Sequence, residues 1–299
     1  MKTDLAGRRI LITGASSGLG LASAGQLAAR GAQVVLAVRN PDRGAAAVDQ
    51  IKRTVPNARL ELADLDLAQQ HSIRSFADDQ LQRGPVHAMI NNAGTSMVPR
   101  RTVTADGFEL QHATNVLGHF SLVALMMPAL RQGAGRVVWL SSVMACVPRK
   151  IDTSFGMKGR YNPSLVYSQT KLACGVIGLE LHRRLQAAGS SVRSMVAHPG
   201  WSNTGLFAQH DGKIPNLLHR LGAPFGSQAE DGAGSQVYAA TSPGLTGGEY
   251  IGPRWVGRGQ PWQIRPRRLM SDPESGRRLW TAAEKATGVS FPSAGDRAA

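Results

Sequence analysis

The sequence predicts an α/β protein, one doubly wound parallel sheet of about seven strands with helices on both faces. Three observations predict it. Short runs rich in Val, Ile and Leu alternate with longer amphipathic stretches between residues 9 and 197. A glycine-rich turn, Thr13-Gly-Ala-Ser-Ser-Gly-Leu-Gly20, joins the first such run to the first amphipathic stretch. No linker of Pro, Gly and Ser divides the 299 residues, so residues 1–289 read as a single domain.

The strands are expected at Arg9–Ile12, Gln33–Val38, Leu60–Leu62, Val86–Asn91, Arg136–Ser141 and Val192–Ala197, with a last one near Glu249–Ile251. Helices are expected near 18–30, 41–55, 69–83, 107–130 and 164–188. Two segments interrupt the alternation. Residues 143–166 form a connection of 24 residues, a length that in compact domains usually marks a lid or binding loop. Residues 201–240 read as helices and loops inserted before the last strand, and the small, polar residues 290–299 read as a disordered tail.

Composition excludes several classes. No apolar stretch runs uninterrupted for the ~18 residues a membrane helix needs, and the best candidate, Val116–Leu130, is short and carries His119. No membrane span is therefore expected. The N-terminal residues run straight into a strand, without the pattern of a signal peptide. Cys146 and Cys174 are too few for a disulfide framework or a metal site, so no metal is expected and a cytoplasmic setting is the default. The net charge of +14 comes mostly from 27 arginines spread along the chain, with a denser stretch of seven between Arg254 and Arg278. No helix-turn-helix, zinc-finger or RNA-binding signature accompanies them, so nucleic acid is not an expected partner.

The glycine turn carries the first chemistry. Gly14, Gly18 and Gly20 suit a tight turn, close approach of backbone to phosphate, and close packing of helix on sheet. With Ser16, Ser17 and Leu19 the turn would cradle a pyrophosphate at a helix start. The second strand ends Val38-Arg39 with no acid to hold ribose hydroxyls, and an arginine there favours the extra phosphate of NADP(H). Asp64-Leu65 follows the third strand, where a carboxylate could take an adenine amino group.

Tyr167 and Lys171 stand four apart, on one face of an expected helix. A free tyrosine, with a pKa near ~10, is a poor acid or base at neutral pH, and a neighbouring ammonium favours its phenolate. The spacing alone is common. It gains meaning beside Asn91-Asn-Ala-Gly94, Asn115, the Ser141-Ser142 pair closing a strand, and Pro199-Gly200 followed by Thr204.

With the glycine turn, these motifs resemble the short-chain dehydrogenase/reductase family over about residues 7–260. Within it, Asn115-Val-Leu-Gly-His-Phe and Tyr167-Ser-Gln-Thr-Lys-Leu-Ala resemble the retinol-dehydrogenase-like and bacterial NADP-dependent oxidoreductase branch. The resemblance implies a Rossmann fold and four catalytic residues. Tyr167 would exchange a proton with the substrate oxygen, and Lys171 would assist it and hold the nicotinamide ribose. Ser142 would hydrogen-bond the reacting oxygen, and Asn115 would place a relay water behind Lys171. It further implies cofactor contacts from the glycine turn, Arg39, Asp64, Leu65, Asn91, Ala93, Gly94, Pro199, Gly200 and Thr204. Asn91 and Asn92 read as scaffold beneath the cofactor. His71, His112, His119 and His198 lack metal-ligand spacing and read as structural.

Substrate walls are expected from the two long segments, through Ser142, Met144, Phe155, Met157, Trp201, Leu206 and Phe207. Their apolar character points to a bulky hydrophobic ketone or secondary alcohol. The expected activity is an NADP(H)-dependent carbonyl reductase/alcohol dehydrogenase. Its alternatives are oxidation of a retinol- or sterol-like alcohol, and a non-catalytic NADP-sensing regulator. Delivery of the substrate by an acidic carrier protein, and a homo-oligomeric state, are compatible with the sequence without being specified by it.

Overall fold

A computed structural model describes residues 4–156, 159–200, 229–255 and 258–291. Eight strands form one sheet in the order β3-β2-β1-β4-β5-β6-β7-β8. They are β1 (Arg9–Thr13), β2 (Gln33–Val38), β3 (Arg59–Asp64), β4 (Ala88–Asn91), β5 (Arg136–Leu140), β6 (Arg193–Ala197), β7 (Tyr250–Trp255) and β8 (Arg258–Ile264). The first seven pair in parallel and β8 returns antiparallel along β7. The sheet is therefore mixed, with one strand more than the sequence announced.

Strand residues alternate between two cores, as the period of two requires. Leu11, Val35, Val137 and Trp139 face one core with α3 (Gln70–Leu81), α4 (Leu110–Gln132) and α5 (Pro163–Ala187). Ile10, Ile12, Val34, Leu36 and Val138 face the other, packed by α1 (Gly18–Ala28), α2 (Pro41–Thr54) and α6 (Ala229–Thr241). Both faces of the central strands are covered, which explains why they read as unbroken apolar runs. Strand order reverses between β1 and β4, and the carboxyl ends of those strands open the crevice where α/β sheets bind ligands.

Helix α4 has a single π turn, Ala113–Leu117, with Asn115 at its centre. The complete run Leu110–Gln132 is long and apolar enough to cross a membrane by length and composition, unlike the short stretch the sequence suggested. In the fold 83% of its apolar window is buried, so the run serves here as a core helix.

After β8 the described residues form α7 (Arg268–Ser271) and α8 (Pro273–Thr287), neither expected. The signals for α8 are present: Asp272 accepts from the Ser275 N–H at 2.9 Å, Pro273 occupies the first turn, and Gly288 closes it at φ 65°. Leu279, Trp280 and Ala283 are buried, each large side chain contributing about 1.5–3 kcal/mol. Phe291 corrects the expected tail boundary. Its ring packs 4.5 Å from Trp280 and 5.1 Å from Phe120, centroid to centroid, so an aromatic anchor extends the ordered fold past residue 290.

Candidate active site

The glycine turn sits at the carboxyl end of β1. Gly14 (φ 68°) and Gly18 (φ 54°) adopt the left-handed conformation, and a Cβ on Gly14 would lie 2.9 Å from Ala93 Cα. Ser17, at the N-cap of α1, makes no side-chain capping bond, and the first turn holds no acidic residue. Its amides and positive dipole end thus suit an anion. Asn92 stitches the turn to β4 through its Nδ2 on the Thr13 carbonyl (2.8 Å). The Thr13 hydroxyl accepts the Asn92 and Ala93 N–H groups at 3.0 and 2.9 Å. Asn91 is 3% exposed, yet among the described residues neither its Oδ1 nor its Nδ2 has a partner. Those atoms are closed to solvent, so the place for a ligand is offered by the glycine turn and the uncapped first turn of α1. The residues present fit a dinucleotide.

Three of the four expected catalytic residues converge at the end of β5. Lys171 and Tyr167 lie on α5, each 4% exposed, with Lys171 Nζ 5.8 Å from the tyrosine ring centroid. Lys171 Nζ donates to the Leu140 carbonyl at 3.0 Å, two residues before Ser142. The two adjacent serines separate cleanly. The Ser141 hydroxyl donates to the Lys171 carbonyl at 2.8 Å and is buried, whereas Ser142 is half-buried and its Oγ accepts the Met144 N–H at 3.2 Å. That acceptance leaves the Ser142 hydrogen to donate outward.

Asn115 binds the same cluster from α4. Its side chain accepts the Thr95 N–H (2.8 Å) and donates to the Thr95 carbonyl (2.9 Å) and Thr170 Oγ1 (3.0 Å). Its carbonyl, freed by the π turn, accepts from His119 Nδ1 (3.1 Å) and Cys174 Sγ (3.2 Å). The Asn115 side chain thus braces the loop after β4 against α5, while its carbonyl meets two protein donors. The sequence did not point to His119 as part of this network. Its Nε2 lies 2.9 Å from Thr13 Oγ1, joining the glycine turn to Asn115, and burial pushes its pKa down to about 3. The signal was the spacing of four from Asn115, which puts both on one helix face.

Around the crevice, Arg39 and Asp64 are exposed at the ends of β2 and β3, and Leu65 is buried. The turn Pro199-Gly200 is set by His198, whose Nδ1 accepts the Gly200 N–H at 3.1 Å with Gly200 at φ 75°. Burial lowers the His198 pKa to about 4, which keeps that acceptor available.

One substrate residue requires correction. Phe155 is 2% exposed and packs in the core, its ring edge-on to His112 at 6.0 Å. It anchors the long loop from beneath and cannot cover a ring system above it. The same anchor includes Glu109, whose carboxylate takes the His112 ring (3.1 Å) and the Tyr161 hydroxyl (3.1 Å). Burial opposes ionisation of Glu109, but bonds from His112 and from the Gln111 and His112 amides hold it below the usual carboxylate range. Tyr161 is thereby committed to structure, with burial and Glu109 pushing its pKa up to about 12. Met144 is half-buried near Ser142, while Met157, Trp201, Thr204, Leu206 and Phe207 lie outside the described residues. Among the described residues no cluster of His, Cys, Asp and Glu could hold a metal.

The short chain dehydrogenase family model matches residues 8–213, most of the chain. The chain belongs to the short-chain dehydrogenase/reductase family. It is 37% identical to polyprenol dehydrogenase of Mus musculus over 290 residues, covering 95% of this chain and 84% of that one. Retinol dehydrogenase 12 of Homo sapiens is 36% identical over 244 residues, covering 81% and 76%. Among solved structures, an uncharacterized protein from Mycobacterium Paratuberculosis superposes with TM-score 0.80 at 37% identity, covering 96% of both chains. The RhlG/NADP complex of Pseudomonas aeruginosa shares the fold, with TM-score 0.66 at 23% identity over 83% of this chain and 95% of that one. This dehydrogenase is thus a retinol-dehydrogenase-like member of its family, an oxidoreductase whose fold accommodates nicotinamide cofactors. Its strand β8 and helices α7 and α8 lie beyond the family match.

Proposed function

We propose that the protein is an NADP(H)-dependent carbonyl reductase/alcohol dehydrogenase acting on bulky hydrophobic ketones or secondary alcohols. The observation that carries the proposal is the convergence of Ser142, Tyr167 and Lys171 at the end of β5. When bound, the nicotinamide nucleotide would supply or accept the hydride. Ser142, its acceptor side occupied by Met144, donates to the substrate oxygen where negative charge develops. Tyr167 passes its hydroxyl proton to that oxygen, or takes one from an alcohol. Lys171 places a positive charge beside the Tyr167 ring, and its remaining ammonium protons would reach a ribose. Asn115 holds α5, and so both side chains, in register. The half-buried Met144 and exposed Val147 keep an apolar edge beside Ser142. A cytoplasmic location fits the two free cysteines and the burial of α4 within the core.

The test is NADPH consumption against ketones from short aliphatic to polycyclic aromatic, with turnover rising toward the bulky end. No consumption with any ketone or alcohol would leave a non-catalytic cofactor sensor as the better reading. The relatives favour a second direction: both are named for alcohol oxidation, so NADP+ reduction with long-chain and polyene alcohols belongs in the same panel.

Cofactor choice is expected to follow Arg39. NADPH should bind at least ~10-fold more tightly than NADH, the scale of one charge-assisted contact of about 1.5–3 kcal/mol. Arg39→Ala should remove most of the difference. Equal dissociation constants for the two cofactors in the wild type would refute the NADP assignment.

A further inference from the structure

We infer that Arg267 is a specificity-determining latch, a positioning residue that fixes the wall of the substrate site just after Ser142. The inference rests on the functional reading above. Arg267 stands between β8 and α7, in the segment beyond the family match. Its Nη1 donates to three carbonyls of the substrate loop: Ala145 at 3.2 Å, Cys146 at 2.7 Å and Pro148 at 2.8 Å. A guanidinium nitrogen carries two hydrogens, so the three acceptors share it. These carbonyls gather at the end of the short 3-10 turn Val143–Cys146, where helical carbonyls lack partners of their own and a cation is favoured.

The base of the latch is rigid. The Arg267 carbonyl accepts the Met270 and Ser271 N–H groups at 2.9 and 3.2 Å. Met270 is 1% exposed and packs against Gly175, one turn past Lys171 on α5. Arg267 therefore ties the loop to the helix that carries Tyr167 and Lys171. Other groups hold the rest of the loop. Gln169 donates to the Lys150 carbonyl (2.9 Å) and accepts the Asp152 N–H (3.2 Å), and Glu109 donates its N–H to the Phe155 carbonyl (3.3 Å). Among the described residues Arg267 is the side chain that holds the carbonyls on either side of Val147, and Val147 is 50% exposed. Ser142 itself follows a residue fixed by the Ser141 N–H on the Ala197 carbonyl (2.8 Å) and should stay in place without the latch. Losing the latch should thus move the apolar wall and spare the chemistry.

The experiment compares full-length wild type, Arg267→Ala and Arg267→Lys, each saturated with NADP(H). Amide exchange should accelerate about tenfold or more at 145–147 in Arg267→Ala, with the Met144 amide, held on Ser142 Oγ, and the amides of 163–187 unchanged. KM for a polycyclic aromatic ketone should rise about tenfold while kcat and the constants for a small cyclic ketone hold within about twofold. Arg267→Lys keeps the charge and should recover part of both effects. Unchanged exchange at 145–147 would overturn the latch. Altered exchange with an unchanged ratio of specificity constants, bulky over small, would overturn its role in specificity, as would equal losses on both ketones. A wild type inert toward every ketone and alcohol would sink the functional reading instead, with the exchange rates still deciding whether Arg267 holds the turn.

Discussion

Replacing Tyr167 by Phe is expected to lower turnover by about 10²-fold or more while leaving NADPH binding intact. The substitution keeps the ring, which is 4% exposed on α5, and removes only the hydroxyl. Among the described residues no other group at the end of β5 is suited to take over the proton. The Ser142 hydroxyl is a weak acid placed to donate a hydrogen bond, and the Lys171 ammonium is held on the Leu140 carbonyl. Tyr250, bonded to Ser141, has its pKa pushed up to about 12 by burial, and Tyr161 is bonded to Glu109 with its pKa pushed up to about 12, mainly by burial. Lys171→Ala should behave differently, weakening cofactor binding and turnover together, because the ammonium faces both the ring and the crevice. Cofactor titration and steady-state rates on the same two variants make the comparison. A Tyr167→Phe enzyme working at near wild-type rate would mean that proton transfer runs through some other group.

The central sheet was legible because parallel strands buried on both faces must be apolar throughout, and β2 after Gln33 and β5 after Arg136 are. The glycine turn and the Tyr167–Lys171 pair were legible because both depend on spacing along a single element. Strand β8 was not. Its sequence, Arg-Gly-Gln-Pro-Trp-Gln-Ile, has little apolar pattern, and Pro261 is tolerated only because the strand lies at the sheet edge. The role of Phe155 was not legible for a related reason. An aromatic residue in a long loop reads equally well as a lid or as an anchor, and only the packing of its ring against His112 decides. Arg267 could not be found from sequence at all, since its three acceptors are backbone carbonyls more than a hundred residues away.

Acid is expected to unfold this protein near pH 4, through two buried histidines. Burial lowers the pKa of His119 to about 3, with the bond to the Asn115 carbonyl opposing and Lys171 adding to the shift, and lowers that of His198 to about 4. Both stay neutral in the fold while the unfolded chain protonates them near ~6.5. Between those values the unfolded state binds more protons, so stability is full above pH 6.5 and falls as pH drops toward 4 and 3. Each histidine contributes a slope of about 1.4 kcal/mol per pH unit, or about 3 kcal/mol by pH 4. The pair together removes on the order of 6 kcal/mol, comparable to the whole stability of an ordinary domain. Glu109, held below the usual carboxylate range, adds its own loss as pH falls from about 4.3, where the unfolded carboxylate takes up its proton. Guanidinium unfolding at pH 7, 6, 5 and 4 measures the slope, and His119→Gln should roughly halve it. If that variant does not fold, ring resonances of the two histidines in the wild type give the same information, since neither should titrate between pH 7.5 and 5. A stability that stays flat from pH 7 to 5, or a His119 ring that titrates normally, would show that the link from Thr13 through His119 to Asn115 does not hold the imidazole neutral and buried.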